Sequence, residues 1–358
     1  MDIKERLKKT FQELIAIDGI YPHEDEVISY VEKRFRKKKI VYARDSFGNI
    51  IVKIPGDGEG VLLSTHLDIP EPAPNVRYRV KGSRIQSDGS GILGADPKTG
   101  LAILIELLCE LSGADCRLRI PVDVVLTRGE ETGLLGARHL DYSLVSAKIG
   151  LVLDEDGPVT QIVTQAPAFV RIDAVFQGKT VHPREPEKGV NALRAATAAL
   201  QALPWGYSTK GVTWNVGLFQ SGTARNSVPG TATAKGELRG YDSNLVKKES
   251  ERVEKTFKHV AKKYGAKCHI DREFEFGGYA LEKNHLLFIR LKETFSAMGL
   301  RPNYFKTFGG SDANIFNDHG IVSVPIGSGY HNAHQYSEYA DINEMATIYT
   351  FLKKFLKV

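Results

Sequence analysis

Apolar positions along the first 165 residues switch between two rhythms. Over 2–17 and 24–38 they recur at helical spacing with charges between them. NIIVKI (49–54), GVLLSTHLD (60–68), VDVVLT (122–127) and IGLVLD (149–154) read instead as short β-rich runs. Several are nearly continuous in apolar residues, as expected of strands covered on both faces. The apolar run LAILIELLCEL after GADPKTG predicts a helix over 97–111, between two of these strands. The alternation predicts an α/β sheet with helices on both faces.

The pattern changes after Ala166 and Pro167. Residues 169–179 alternate, with Val170, Ile172, Ala174 and Phe176 on one side. A helix is predicted over 191–203, then strands over 211–222 and 231–241. A charged helix follows at about 244–264, with Val246, Val253, Phe257 and Val260 on one face, and a last strand over 268–276. The order β-α-β-β-α-β is the ferredoxin-like split arrangement, which implies an antiparallel sheet with one face under two helices. The first pattern then resumes, with a helix over 282–298, a strand over 321–327 and a final helix over 343–356. The expected organisation is one α/β domain, residues 1–165 and 278–358, interrupted by a smaller domain, 166–277.

Composition narrows the class. Of 358 residues, 42% are apolar and 25% charged, ordinary for a globular chain with room for two cores. The net charge of +5 is scattered; its densest run, RFRKKK (34–39), reads as a solvated helix end, so no nucleic-acid partner is expected. The amphipathic N-terminus has no signal core and no stretch approaches 18 apolar residues, so no membrane span is expected. Three cysteines, Cys109, Cys116 and Cys268, form no pair-spaced motif, which argues for a reducing, cytoplasmic setting.

Chemistry-bearing residues collect at the ends of predicted strands, where open α/β sheets place their sites. GVLLSTHLD ends in His66 and Asp68, VDVVLTRGEE in Glu130 and Glu131, IGLVLDED in Asp154, Glu155 and Asp156; His331 and His334 follow IVSVPIG. Asp96 stands at the mouth of a helix, where Asp before Pro is also an ordinary N-cap. Each residue alone has a commonplace structural reading. Together they crowd carboxylates onto one sheet edge, which is costly without cations. Two divalent metals about 3.5–4 Å apart need one bridging ligand and two others each. His66, Asp96, Glu131, Asp154 and His334 form such a set, suited to zinc. Glu130, adjacent to a ligand, is free to act as a base, and Asp68, two residues past His66, is placed to orient it.

The segments HLD (66–68), SDGSGILGADPKTG (87–100), TRGEETGLLGA (127–137), LDEDGP (153–158), GKTVHPREPEKGVNA (178–192), GGSDANIF (309–316) and NAHQYSE (332–338) resemble, in order, those of the co-catalytic zinc metallopeptidases. That family includes peptidase T, aminoacylase and glutamate carboxypeptidase, and the peptidase T branch is the most similar. The resemblance implies a zinc-exopeptidase-type sheet plus an inserted lid and dimerisation domain. It implies one zinc (cobalt or manganese being alternatives) on His66 and Asp154, another on Glu131 and His334, and Asp96 between them. Glu130 would be the general base. His182 would steady the oxyanion, reaching an active site from a partner subunit of a homodimer. Asn226 and Arg239 match lid positions that contact substrate. The implied activity is hydrolysis of short peptides from the amino end. An N-acyl amino-acid amidohydrolase, a dipeptidase with the same metals, or a non-catalytic binding protein on the same fold are the alternatives. The family usually reads GADDKAG, with a cis bond after the bridging aspartate. Proline at position 97 reduces the cost of a cis bond to about 0.5–1 kcal/mol, so Asp96–Pro97 is expected to be cis.

Overall fold

The structure, a computed structural model, describes residues 2–111, 118–207 and 211–357, so Cys116 lies outside it. Two compact units result: Met1–Thr164 with Leu281–Lys306 and Ser311–Val358, and Gln165–Ala280 with Thr307–Gly310. The return of Thr307–Gly310 to the second unit has no counterpart in the apolar pattern.

In the first unit the core of the large sheet is parallel. Its order is Val122–Thr127, Val61–His66, Ile149–Glu155 and Val322–Gly327. Antiparallel strands flank it: Ile50–Ile54 and then Tyr42–Arg44 on one side, Gln161–Ala166 on the other. Every residue of Val61–His66 and Val122–Thr127 is buried, which explains their unbroken apolar runs. After Val61–His66 the chain passes to its neighbour on one side, then returns to Ile149–Glu155 on the other. The strand order therefore reverses at Val61–His66, and the crevice beyond its carboxyl end is where such sheets bind ligands.

The helix Ala95–Leu111 packs on Val61–His66 and Ile149–Glu155 and also against the helices Ile3–Ile15 and Ile342–Phe355. Enclosed on all sides, it is apolar nearly all round. A Cβ on its Gly100 would lie 2.8 Å from the Leu153 carbonyl oxygen and 2.8 Å from Thr65 Oγ1, so the helix sits directly on the strands. At its mouth Asp96 has φ −80° and ψ 118°, outside helical geometry, and the Asp96–Pro97 bond is cis as expected.

A second sheet joins Tyr330–His331, Tyr339–Asp341, Arg84–Ser87 and Tyr78–Lys81, all antiparallel. The sequence did not reveal it, because the strands have two to four residues and Tyr78–Lys81 is wholly exposed. The helix expected from 282 begins at Leu286, where His285 Nδ1 accepts from the Leu287 N–H. The strand expected over 60–68 ends at His66, so a loop, not a strand face, places Asp68.

The second unit is an antiparallel sheet in the order Gly206–Tyr207, Val212–Ser221, Thr231–Gly240, Ala168–Gln177 and Lys267–Phe276. Ala168–Gln177 alternates buried and partly exposed residues, with Val170, Ile172, Ala174 and Phe176 inside. Helices Ala192–Gln201 and Ser243–Lys263 cover that face through Ala195, Ala199, Val246, Val253 and Phe257. Val260 is only partly buried, and Ala261 takes the inner position. This is the ferredoxin-like arrangement with one added two-residue strand. Among the described residues no helix is long and apolar enough to cross a membrane, and no disulfide joins Cys109 to Cys268.

Candidate metal centre

His66 closes the central strand and is 1% exposed. Its Nε2 lies 3.1 Å from Asp96 Oδ1 and 3.4 Å from Asp154 Oδ1, at the end of the adjacent strand. The other Asp96 oxygen, Oδ2, lies 3.5 Å from His334 Nε2, which lies 2.9 Å from Glu131 Oε1. Asp96 thus turns one oxygen to His66 and Asp154 and the other to His334 and Glu131. His334 is presented from a turn in the left-handed region, φ +61°.

Among the described residues, three sets of potential ligand atoms each fall within 4.8 Å of one another: His66, Asp96 and Asp154; Asp96, Glu131 and His334; His66, Glu130 and Glu131. Ligands about 2.0–2.1 Å from a tetrahedral zinc stand about 3.3–3.4 Å apart, which the separations above bracket. His66 Nδ1 and Glu131 Oε1 are buried and make no hydrogen bond, although each has an oppositely charged neighbour. An imidazole and carboxylate donor set of this spacing fits divalent ions.

The protonation chemistry agrees. Burial pushes Asp154 up to about 7, helped by the nearby Asp96 charge. Burial and Asp154 push Glu155 up to about 8, and burial raises Asp312 to about 6. Glu130 is driven well above the usual carboxylate range, first by burial and then by Asp154. Burial also raises Glu131, against the pull of His334. Burial acts on Asp96 as well, but His334 and His66 outweigh it and hold that carboxyl low. His334 is carried up to about 10 by Asp96 and Glu131. Burial opposes a charge on His66, yet Asp154, Asp68 and Asp96 raise it well above its ordinary value. So many carboxylates competing for two imidazolium protons is the imbalance that bound cations relieve.

Asp68, fully buried, lies with Oδ1 3.4 Å from His66 Nδ1. It also accepts from two backbone N–H groups, Glu130 at 2.9 Å and Glu131 at 3.1 Å. One carboxylate therefore joins the histidine to the loop bearing both glutamates. Glu130 itself is 8% exposed.

Three further buried carboxylates serve the same loops and escaped the sequence reading as site residues. Glu24 accepts from the Gly129 N–H at 3.2 Å and pairs with Arg128 at 2.7 Å. Asp312 Oδ2 accepts from Thr127 Oγ1 at 2.5 Å. Glu338 accepts from the N–H groups of Leu93, Gly94 and Asp96. Asp312 and Glu338 lie inside GGSDANIF and NAHQYSE, but only the folded backbone reveals their partners.

The remaining expected residues belong to the second unit. His182 is exposed, its Nδ1 accepting from the Arg184 N–H at 3.2 Å. Asn226 is exposed between Val212–Ser221 and Thr231–Gly240. Arg239 binds Glu237 through Nε and Nη2 and the Phe308 carbonyl through Nη1, and it stacks on Phe169. These bonds use three of its five N–H donors, so one N–H on each terminal nitrogen is left for a further acceptor.

Comparison with known proteins agrees with this architecture. A family model of the peptidase dimerisation domain of M20 type matches residues 168–265, and that of peptidase family M28 matches 49–169. An uncharacterized protein of Bacillus subtilis, YqjE, is 30% identical over 354 residues, covering 96% of this chain and 95% of that one. The crystal structure of a Staphylococcus aureus tripeptidase, 30% identical, superposes with a TM-score of 0.88 over 99% of this chain and 98% of its own. The aminopeptidase PepT of Bacillus cereus, 29% identical, gives 0.83 with the same coverage. The chain belongs to the M20 peptidase family and is peptidase T-like.

Proposed function

We propose that this chain is an aminopeptidase for short peptides, tripeptides among them, working through two zinc ions. The reading is carried by the Asp96 carboxylate, whose two oxygens face two different histidines, each beside a second carboxylate. His66 and Asp154 hold one ion, Glu131 and His334 the other, and Asp96 is shared. When bound, such a pair lowers the pKa of water from about 15.7 toward roughly 7 and polarises the scissile carbonyl. Glu130, as its carboxylate, takes the proton from the attacking water and passes it to the leaving amine; burial, which raises its proton affinity, suits it to that role. Asp68 keeps Glu130 and Glu131 in register with His66.

Residues 166–277 act in this reading as lid and dimerisation domain. His182 stabilises the oxyanion of a partner's site, and Asn226 and Arg239 hold the peptide. Leu218 and Phe219, on Val212–Ser221 beyond its short pairing with the edge strand Gly206–Tyr207, are 60% and 38% exposed, a surface suited to a second copy. Leu218→Lys is expected to shift the solution mass from dimer to monomer and, because His182 acts in trans, to lower kcat. A dimer unchanged by that substitution places the interface elsewhere.

The deciding experiment is product analysis on free and N-acetylated tripeptides, with zinc, cobalt or manganese restored to the stripped protein. Release of the first residue from the free peptide alone supports the aminopeptidase. Preferred cleavage of the acetyl group points to the amidohydrolase alternative, and no turnover with any metal leaves a binding protein.

A further inference from the structure

The turn that presents the exposed His334 ends four residues on in a buried carboxylate. Glu338 is 1% exposed. Its Oε2 accepts from the N–H groups of Leu93 and Gly94, both at 2.8 Å, and its Oε1 from that of Asp96 at 3.0 Å. Its own carbonyl accepts from the Ser87 N–H at 3.0 Å, and its N–H donates to Gln335 at 2.9 Å. Gln335 in turn donates to the Asn332 carbonyl at 3.2 Å. Residues 332–338 are therefore one closed turn, with His334 within it and Glu338 at its end. The Glu338 carboxylate grips the segment leading into Asp96.

Burying a carboxylate is costly, and charge-assisted bonds to N–H groups are what offset the cost. A neutral side chain cannot reproduce this arrangement. A glutamine has one acceptor oxygen, and its NH2 would face an N–H donor, so either Asp96 or the Leu93–Gly94 pair loses its acceptor. Nothing in the proposed chemistry needs Glu338 to touch substrate. What its bonds fix is the backbone from which Asp96 reaches both histidines.

We infer that Glu338 is a positioning residue of the metal centre, which locks the shared ligand Asp96 to the turn that delivers His334 and so makes occupancy by both ions depend on one side chain. The inference rests on the two-metal reading above. It separates Glu338 from a general stabiliser of the fold, whose loss would lower melting temperature without selecting against metal.

The test is titration of the metal-stripped full chain with cobalt(II), followed by calorimetry and the visible absorption of the bound ion, for wild type and Glu338→Gln. Wild type is expected to take up two ions. In Glu338→Gln the affinity for at least one ion is expected to fall about 10–100-fold, the range for groups that orient ligands. The cobalt spectrum should change, and kcat should fall more than KM rises. If Glu338→Gln does not fold, Glu338→Asp carries the test, with an affinity loss of tenfold or more expected because the carboxylate is one methylene short. Two ions bound by a folded variant with wild-type affinity and spectrum overturns the assignment alone. Failure of the wild-type chain to bind a pair of ions overturns the two-metal reading, and this assignment with it.

Discussion

Asp68 and Glu130 are neighbours with separable proposed duties, and substitution tells them apart. Asp68 holds two backbone N–H groups and lies against His66. Asp68→Asn leaves one of those buried N–H groups facing an amide, at a cost of about 1–3 kcal/mol. It is expected to weaken metal binding about 10–100-fold as well as to lower kcat. Glu130→Gln keeps the shape and removes the base, so two ions per chain should remain while kcat drops by about 10²–10⁴. Metal content and kcat measured on the same preparations check both, and full turnover by Glu130→Gln removes it from the chemistry. Four of the proposed ligands were legible because each ends or follows a strand whose apolar run is itself legible, and Asp96 because it opens the apolar helix Ala95–Leu111. Glu24, Asp312 and Glu338 were not. Each is defined by a partner far away in sequence, a backbone N–H or a hydroxyl, and no spacing rule encodes such a pairing.

At the level of elements, the helix Ala95–Leu111 links core to site, because its mouth carries Asp96 and its body rests on the strands that carry His66 and Asp154. Gly100 allows that approach. In an exposed helix, Gly→Ala gains up to about 1 kcal/mol. Here the added methyl meets the Leu153 carbonyl at 2.8 Å, and strand backbone cannot step aside. Gly100→Ala is therefore expected to destabilise by about 1–3 kcal/mol, as overpacking does, and to lower metal affinity by shifting Asp96. A urea melt in which the variant matches or exceeds wild type contradicts the close packing. The same helix shows why patterning succeeded where it did: an all-round apolar run can only be enclosed. The short strands Arg84–Ser87 and Tyr339–Asp341, which hold up the Glu338 turn, carry too few residues for alternation to register.

For the molecule as a whole, the two-metal proposal sets metal and protons in competition for one set of groups, which fixes the sign of a pH effect. In the stripped protein Asp154 sits up at about 7 through burial and Asp96, and Asp312 at about 6 through burial. His334 is held up to about 10 by Asp96 and Glu131. Unfolded, carboxyls titrate near 4 and imidazoles near 6.5. The folded chain therefore retains protons that the unfolded chain has released. By linkage its stability declines as pH rises from about 4 to 7 through the carboxyls, and from about 6.5 to 10 through His334. Asp96 has the opposite sign, since its carboxyl is held low, but its contribution is lost only on acidification below about 4. Ligation displaces the retained protons, so metal binds more tightly as pH rises. Free ion at a hundred times its Kd adds about 2.7 kcal/mol to the folded state, more as Kd falls. The gap in melting temperature between zinc-loaded and chelated protein should accordingly be wider at pH 8 than at pH 6, with the chelated curve itself moving down. A gap that narrows over that interval would mean that the crowded carboxyls and imidazoles are not where the ions bind.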